Sequence, residues 1–465
     1  MARLPLPGTE LSPADPVPGD PGERIPAEVL ELVEAFRAGG HAAYLVGGSL
    51  RDLMLGRQPA DWDLATDARP ERIVELFPGA VYENLFGTVA VRHADQIFEI
   101  TTFRRDHDYA DFRRPHRVEF GDTIEVDLAR RDFTVNAMAW GGRPGDQPGL
   151  RDPHRGLDDL GRRVLRAVGR PEARFGEDAL RMVRAVRLSA TLGFSIEPKT
   201  LAGIEARSEL VRHLSGERIA AELEKLLAAP SPSVGLRPLE STGLLRWISP
   251  ELAAQRGIPQ NKVPGEDLWD HTVRSVDAAP ADRPIIRLAA LLHDIGKPST
   301  FADGRFITHE TVGVELAGEL LLRLRFPRST VDRVALLVRQ HMFAYESSWG
   351  DAAIRRFIAK IGRPALDELF ELRRADNIGS GLEPDAGGLD ELRARVAEQL
   401  AAAVALDRGD LAVDGDDLIA ELGAVPGPRL GSVLDHLLEV VVEDPALNDR
   451  PTLLLLAQAQ LAEDA

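Results

Sequence analysis

GGSLRDLMLGRQPADWDLAT, Gly47 to Thr66, decides the reading of this chain. It places a glycine pair and then Arg51 ten residues ahead of Asp61 and Asp63, which stand in D-x-D spacing. Residues two apart on a strand leave the same face. A strand over 61–64 would therefore present both carboxylates together and turn Trp62 into the core behind the sheet. Two carboxylates side by side repel unless a cation lies between them. A pair of divalent ions about 3.5–4 Å apart, clamping the attacking and leaving oxygens of a phosphoryl transfer, accounts for them best. The glycine pair predicts a tight turn with open backbone N–H groups, and a helix over 49–55 puts Arg51 in its first turn. Backbone donors, a helix N-terminus and an arginine together make a triphosphate cradle. A lone D-x-D is as easily a solvated acidic turn; glycine pair, arginine and D-x-D in this order are much more specific.

Two further strings carry chemistry. In RRDFTVNAM, Arg130 to Met138, Arg131 suits a phosphate and Asp132 could accept a hydrogen bond from a ribose hydroxyl, which separates ribonucleotides from deoxyribonucleotides. An exposed ion pair explains the same residues equally well. In FGEDALRMVRAVRLSATLGF, Phe175 to Phe194, the residues Asp178, Arg181, Arg184 and Arg187 recur every three positions and so form one stripe of a helix, with Leu180, Val183 and Leu188 off it. An acid and an arginine one turn apart offer an acceptor and a forked donor in fixed relation, enough to read the edge of a base without a template. A salt-bridged surface helix is the ordinary alternative. Three arginines with one acid would repel one another in that role, so the stripe reads as built for an anion. Glu99, in QIFEITTF, would point outward between Phe98 and Ile100 and is the candidate third carboxylate, although a strand glutamate on a solvent face is commoner.

Together these strings resemble the signature of the polymerase-β-like nucleotidyltransferases, specifically the bacterial class II tRNA CCA-adding enzymes and their poly(A) polymerase relatives. The resemblance implies an α/β head with a mixed sheet, followed by an all-α neck, an HD body and a helical tail. It implies that Asp61 and Asp63 hold Mg²⁺ with Glu99 completing the catalytic acids. Gly48, Arg51, Arg131 and Asp132 would hold the triphosphate and sugar, Asp178 and Arg181 would select the base, and Arg184 and Arg187 would help bind the nucleotide or the tRNA end. DPHRGLDDL, Asp152 to Leu160, resembles the connecting motif of the family, and ERIAAELEKLL, Glu217 to Leu227, resembles its last neck motif or is a plain structural helix. RRDHDYADFRRPHRV, Arg104 to Val118, lacks periodicity and reads as a flexible loop. In the family a loop at this place separates enzymes that add the final A from those that stop after CC, so its presence favours complete addition.

Downstream, LWDHT, ALLHDIGK, ITHET, VRQHM and RRADN supply His271, His293, Asp294, His309, His341 and Asp376. These residues resemble the HD phosphohydrolase pattern, with His271, His293, Asp294 and Asp376 as the metal-ligand candidates. Imidazole with carboxylate suits nickel, manganese or iron better than calcium. A single helical histidine is usually an ordinary packed residue; four in this order with two aspartates are harder to dismiss. Hydrolysis of phosphomonoesters or 2′,3′-cyclic phosphates at RNA ends is the activity such a site would support.

Composition bounds the rest. The net charge of −18 argues against a nucleic-acid partner until its distribution is read. Residues 381–465 carry 18 acids and 5 basic residues, while 151–187 carry ten arginines against six acids. Any phosphate-binding surface is therefore local. The absence of cysteine excludes disulfides and thiolate sites and fits a cytoplasmic protein. No apolar run reaches the roughly 20 residues needed to span a bilayer. Seven prolines in residues 1–26 predict a disordered arm. Beyond it the expected division is head 27–170, neck 171–262, HD body 263–380 and tail 381–465. The tail resembles the family's tRNA-elbow contact but has no basic stripe of its own. The reading is a tRNA nucleotidyltransferase that adds CCA from CTP and ATP. Its rivals are a poly(A) polymerase of the same superfamily, an HD phosphohydrolase whose head only binds RNA, and, least favoured, a nonenzymatic RNA chaperone.

Overall fold

The computed structural model describes residues 19–82, 87–109, 115–260, 262–402 and 404–463. It divides into two compact units, 1–253 and 254–465.

The first unit opens with α1 (Ala27–Ala38), whose Val29, Leu32, Val33 and Phe36 fall on one helical face and are buried. There follow β1 (Ala43–Val46), α2 (Gly47–Met54), β2 (Asp63–Thr66), α3 (Pro70–Leu76), β3 (Val81–Tyr82), β4 (Thr88–His93) and β5 (Gln96–Thr102). Next come β6 (Arg104–Tyr109), β7 (Pro115–Phe120), α4 (Ile124–Ala129), β8 (Ala139–Gly142) and β9 (Gly149–Arg151). The main sheet runs β3-β4-β5-β2-β1-β8-β9, with β2 and β5 parallel and the other neighbours antiparallel, so it is mixed as expected. All four residues of β1 are buried, as a central strand covered on both faces requires.

Local readings need correction. The strand predicted over 61–64 begins at Asp63; Asp61 sits in a bend and is exposed, and Trp62 is only partly buried. The chain leaves α2 through polar residues that do not pair, so the sheet begins two residues later than the D-x-D alternation suggests. Residues 104–118, expected as a flexible loop, lie in a β6–β7 antiparallel hairpin in which Arg104 faces Phe120, with 110–114 outside the described residues. Ladder hydrogen bonds form between backbones whatever the side chains, so a hairpin can form where the sequence shows no alternation to read. Strands β8 and β9 pair as a second antiparallel hairpin, Ala139 facing Arg151. The predicted arm ends early: Asp20 accepts the Trp140 indole N–H at 2.7 Å, and a Cβ at Gly22 would lie 2.2 Å from the Trp140 ring. A mostly buried indole needs an acceptor, and this segment supplies it. Residues 1–18 lie outside the described residues.

The chain then turns helical through α5 (Gly156–Arg162), α6 (Pro171–Glu177), α7 (Leu180–Leu192), α8 (Pro198–Arg207) and α9 (Gly216–Leu227). Helix α7 is buried along most of its length, packing on α9 and on the helix Ser233–Ser241.

In the second unit, helices Leu268–Ala278, Pro284–Leu292, His309–Arg323, Arg328–Gln340 and Leu366–Gly379 pack together. The tail helices Gly415–Leu422, Pro428–Glu443 and Arg450–Glu463 gather around their own core of Leu418, Val433, Leu437, Val441 and Leu453. No helix among the described residues is long and apolar enough to cross a membrane.

Candidate active site and metal centre

A cleft of about 420 Å³ in the first unit is lined by Gly47, Gly48, Asp63, Arg104, Arg130, Arg131, Asp132, Asn136, Asp178, Arg181 and Arg184. Gly47 opens α2 with φ +76°, in the left-handed region. A Cβ there would stand 2.9 Å from Arg131 Nη1 and 3.3 Å from Asp63 Oδ2, so only glycine lets the acid and the arginine approach the backbone. The N-terminus of α2 has no side-chain cap, leaving its first N–H groups for an anion.

Glu99 lies in register beside Asp63 on the neighbouring parallel strand, exposed between the buried Phe98 and Ile100, as the alternation predicts. Asp61 does not line the cleft, but its charge reaches Asp63. Burial pushes the Asp63 carboxyl above its ordinary range and Asp61 pushes it further, against the pull of Arg131. A carboxylate reluctant to ionise beside other acids is one that gains by meeting a cation.

Arg131 is held from behind by Asp127, whose Oδ2 accepts from Nε at 3.3 Å and Nη2 at 3.1 Å. The other oxygen of this buried carboxylate accepts from Arg130 at 2.9 and 2.7 Å. Burial would raise Asp127, but the two arginines hold it below the usual range. Arg51 lies outside the cleft lining. Its Nε and Nη2 donate to the adjacent Asp52 at 2.9 and 2.8 Å, and its Nη1 donates to Asn136 at 2.6 Å. These contacts hold the guanidinium beside the N-terminus of α2, where a Cβ at Gly48 would lie 3.6 Å from Arg51 Nη2. Asp132 is similarly engaged. Its Oδ1 accepts from the Phe133 backbone at 2.8 Å and Asn136 at 3.1 Å, and its Oδ2 accepts from Arg184 at 3.1 Å. Despite burial, Arg184, Asn136 and Arg181 hold its pKa down to about 2.

Asp178 is not on the arginine helix: it sits in an extended link, φ −139°, between α6 and α7. Arg218 of α9 donates to its two oxygens at 3.1 and 2.9 Å, and the Leu180 N–H donates at 3.0 Å. The stripe is also less unbalanced than its sequence suggests. Arg181 donates to Glu177 at 2.5 Å, Arg184 to Asp132 and Glu222, and Arg187 to Glu222 at 2.9 Å. Burial would lower Arg184, but the carboxylates of Asp132 and Glu222 raise it. Arg187 does not line the cleft. Motif spacing does not mark Asp127, Asn136, Arg218 or Glu222 as site residues; the resemblance of 217–227 to a neck motif marks α9 alone.

In the second unit six buried ligand-type residues converge. His271, His293 and Asp376 form one group and Asp294, His309 and His341 another, each with ligand atoms within 4.8 Å of one another. His271 Nε2 lies 3.0 Å from His293 Nε2 and 3.3 Å from both Asp294 and Asp376. His309 Nε2 lies 3.3 Å from His341 Nε2. Backbone carbonyls take the other ring nitrogens: His293 Nδ1 to Ala290 at 2.8 Å, His309 Nδ1 to Phe306 at 2.8 Å and His341 Nδ1 to Val338 at 2.7 Å. A carbonyl only accepts, so these nitrogens carry the protons and, in neutral rings, the Nε2 atoms of His293, His309 and His341 present lone pairs. Asp294 Oδ1 is buried without a hydrogen-bond donor. Facing lone pairs and an orphaned carboxylate oxygen fit a cation of imidazole-preferring type. The turn after Asp294 is tight enough that a Cβ at Gly296 would lie 2.2 Å from the His309 carbonyl oxygen, which keeps the two groups together.

The mixed sheet with its acid-lined cleft defines a polymerase-type nucleotidyltransferase head. The profile described as "Poly A polymerase head domain" matches residues 43–166, and "Probable RNA and SrmB- binding site of polymerase A" matches 193–256. An HD domain profile matches 237–380, and a profile of tRNA nucleotidyltransferase domain 2 matches 311–457. The CCA-adding enzyme of Geobacillus stearothermophilus is 34% identical over 426 residues, 91% of this chain and 94% of the relative. That of Levilactobacillus brevis is 33% identical over 438 residues, 93% and 98% of the two chains. The crystal structure of the Bacillus stearothermophilus CCA-adding enzyme in complex with CTP is similar with a TM-score of 0.68 and 29% identity, covering 94% of this chain and 98% of the other. The chain belongs to the family of CCA-adding enzymes.

Proposed function

We propose that this protein adds C, C and A to the 3′ end of tRNA from CTP and ATP without a template, acting in the cytoplasm. The observation that carries the reading is one cleft holding a raised-pKa acid, an open helix N-terminus, paired arginines and the Asp178–Arg181 pair. Mg²⁺ held by Asp61 and Asp63, with Glu99 in register, would supply the positive charge that lowers the barrier to phosphoryl transfer. The residues of the chain do the rest. Gly47, Gly48 and Arg131 seat the triphosphate, Asp132 sets the sugar edge while fixing Arg184, and Asp178 with Arg181 presents an acceptor and donors to the base. We assign this chemistry to the head over 27–170 and the neck over 171–262, apart from the HD body over 263–380 and the tail over 381–465. The test is trimmed tRNA with labelled CTP and ATP. Products three nucleotides longer are expected with both, and two longer with CTP alone. A ladder of A residues, or no addition with CTP alone, would refute it in favour of a poly(A) polymerase.

We further infer a phosphohydrolase activity in the second unit toward phosphomonoesters or cyclic phosphates at RNA ends. Support comes from the converging Nε2 atoms and from Lys262, Lys297, Arg305 and Arg373, which line the adjoining cavity of about 640 Å³ and suit a phosphate. The donor set, four imidazoles with two carboxylates, suits nickel, manganese or iron. Release of phosphate from a 3′-phosphorylated oligonucleotide, lost in Asp294→Ala and retained in Asp63→Ala, is the expected result.

A further inference from the structure

We propose that the neck carries a second RNA contact, outside the cleft, built on Trp247, Arg212 and Arg246. The helix Leu245–Ile248 buries Leu245 and Ile248 but leaves Trp247 36% exposed. The Arg246 guanidinium carbon lies 5.2 Å from its ring centroid and that of Arg212 lies 6.0 Å away, both side chains being exposed. Neighbouring arginines of the first unit are neutralised: Arg166, Arg174, Arg181, Arg184, Arg187 and Arg218 each pair with a carboxylate. Arg212 and Arg246 make no ion pair among the described residues; Arg212 donates instead to His213 Nε2 at 3.2 Å.

The two guanidinium groups therefore keep their charge for a ligand while the indole restrains their planes. A forked cation beside an aromatic face fits a phosphate next to a base or ribose, the pairing by which RNA backbones and unstacked bases are held. A protein partner would instead favour a broad apolar patch, and this helix turns its other large apolar residues inward. Residues 193–256 match an RNA-binding profile that names no residue, and the geometry points to these three.

The inference takes tRNA as its ligand from the reading above, and its test separates the two. In full-length protein, binding of labelled trimmed tRNA is followed by fluorescence anisotropy across a salt series, without nucleotide. Arg212→Gln with Arg246→Gln is expected to weaken binding about tenfold and to lower the slope of log affinity against log salt by about 2, one per phosphate contact. Trp247→Ala is expected to cost about fivefold or more. At saturating tRNA the rate of CTP incorporation stays at the wild-type value. Unchanged affinity and slope in variants that melt like wild type overturn the inference and turn this face toward a protein partner. If the double variant unfolds, the single Arg246→Gln variant, expected to lower the slope by about 1, decides the matter. If wild type does not bind tRNA, the CCA reading fails; the same slope loss on a generic RNA duplex would still uphold this surface, and its absence would not.

Discussion

The cleft of the first unit and the histidine centre of the second handle charge in opposite ways. In the cleft, Arg130, Arg131, Arg181 and Arg184 are each met by a carboxylate of the protein itself, so these arginines are neutralised before any ligand arrives. In the histidine centre, the Nε2 lone pairs of His309 and His341 face each other at 3.3 Å and Asp294 Oδ1 lacks a donor. The arginines of the first site are preorganised for a substrate; the histidines and Asp294 of the second are unfinished without a cation. Preorganised donors need no rearrangement as charge develops, whereas an unfinished centre couples its stability to metal.

The sharpest way to break this comparison is Asp63→Ala. It should reduce labelled CTP incorporation by at least roughly a thousandfold, since removing a group that acts on the transferred phosphoryl removes most of the rate. Phosphate release by the second unit should be untouched. A shared loss of both activities would mean that the two sites are not independent.

Arg218→Ala tests whether preorganisation reaches the base. The substitution frees Asp178 from both of its Arg218 hydrogen bonds. A charged hydrogen bond contributes about 1.5–3 kcal/mol, so discrimination between CTP and UTP, read as a ratio of kcat/KM values, should fall about tenfold or more. Arg218→Lys should restore part of it. Unchanged discrimination would make Arg218 a structural residue only.

Metal should stabilise the second unit and leave the first nearly unmoved. Nickel or manganese at 100 times its dissociation constant would add about 2.7 kcal/mol, seen as a rise in the melting temperature that His271→Ala with His293→Ala abolishes. An equal rise in the double variant would place the ion elsewhere.

The smallest effect concerns acid. Asp132 is held at about 2, well below the ordinary carboxylate near 3.9. Its contribution is fully present above about pH 5 and is lost progressively as pH falls through about 2, about 2–3 kcal/mol in all. Urea melts of the wild type between pH 4 and pH 2 should show this decline, and Asp132→Asn should be less stable at neutral pH with a flatter acid dependence. A variant with the same acid slope as wild type would assign the decline to other carboxylates.

Much of the site was legible because its signals are local. The alternation Phe98–Glu99–Ile100 determines which side of β5 the acid leaves, since a period of two has one buried face. The histidine strings could be read because six ligand types in a fixed order are rare. Nothing in the spacing of Arg51 says that Asp52 and Asn136 will hold its guanidinium. The β6–β7 hairpin was missed because its pairing rests on backbone groups that every sequence shares.

The chain by itself determined the order of the motifs, the acids and glycines of the head, the arginine stripe of α7 and the ligand types of the second unit. Only the tertiary structure decided which charge neutralises which. The partners of Arg184 lie 38 and 52 residues away in Glu222 and Asp132. Helical and strand periods report on neighbours within a few residues, whereas ion pairs across such separations exist only once the elements have packed.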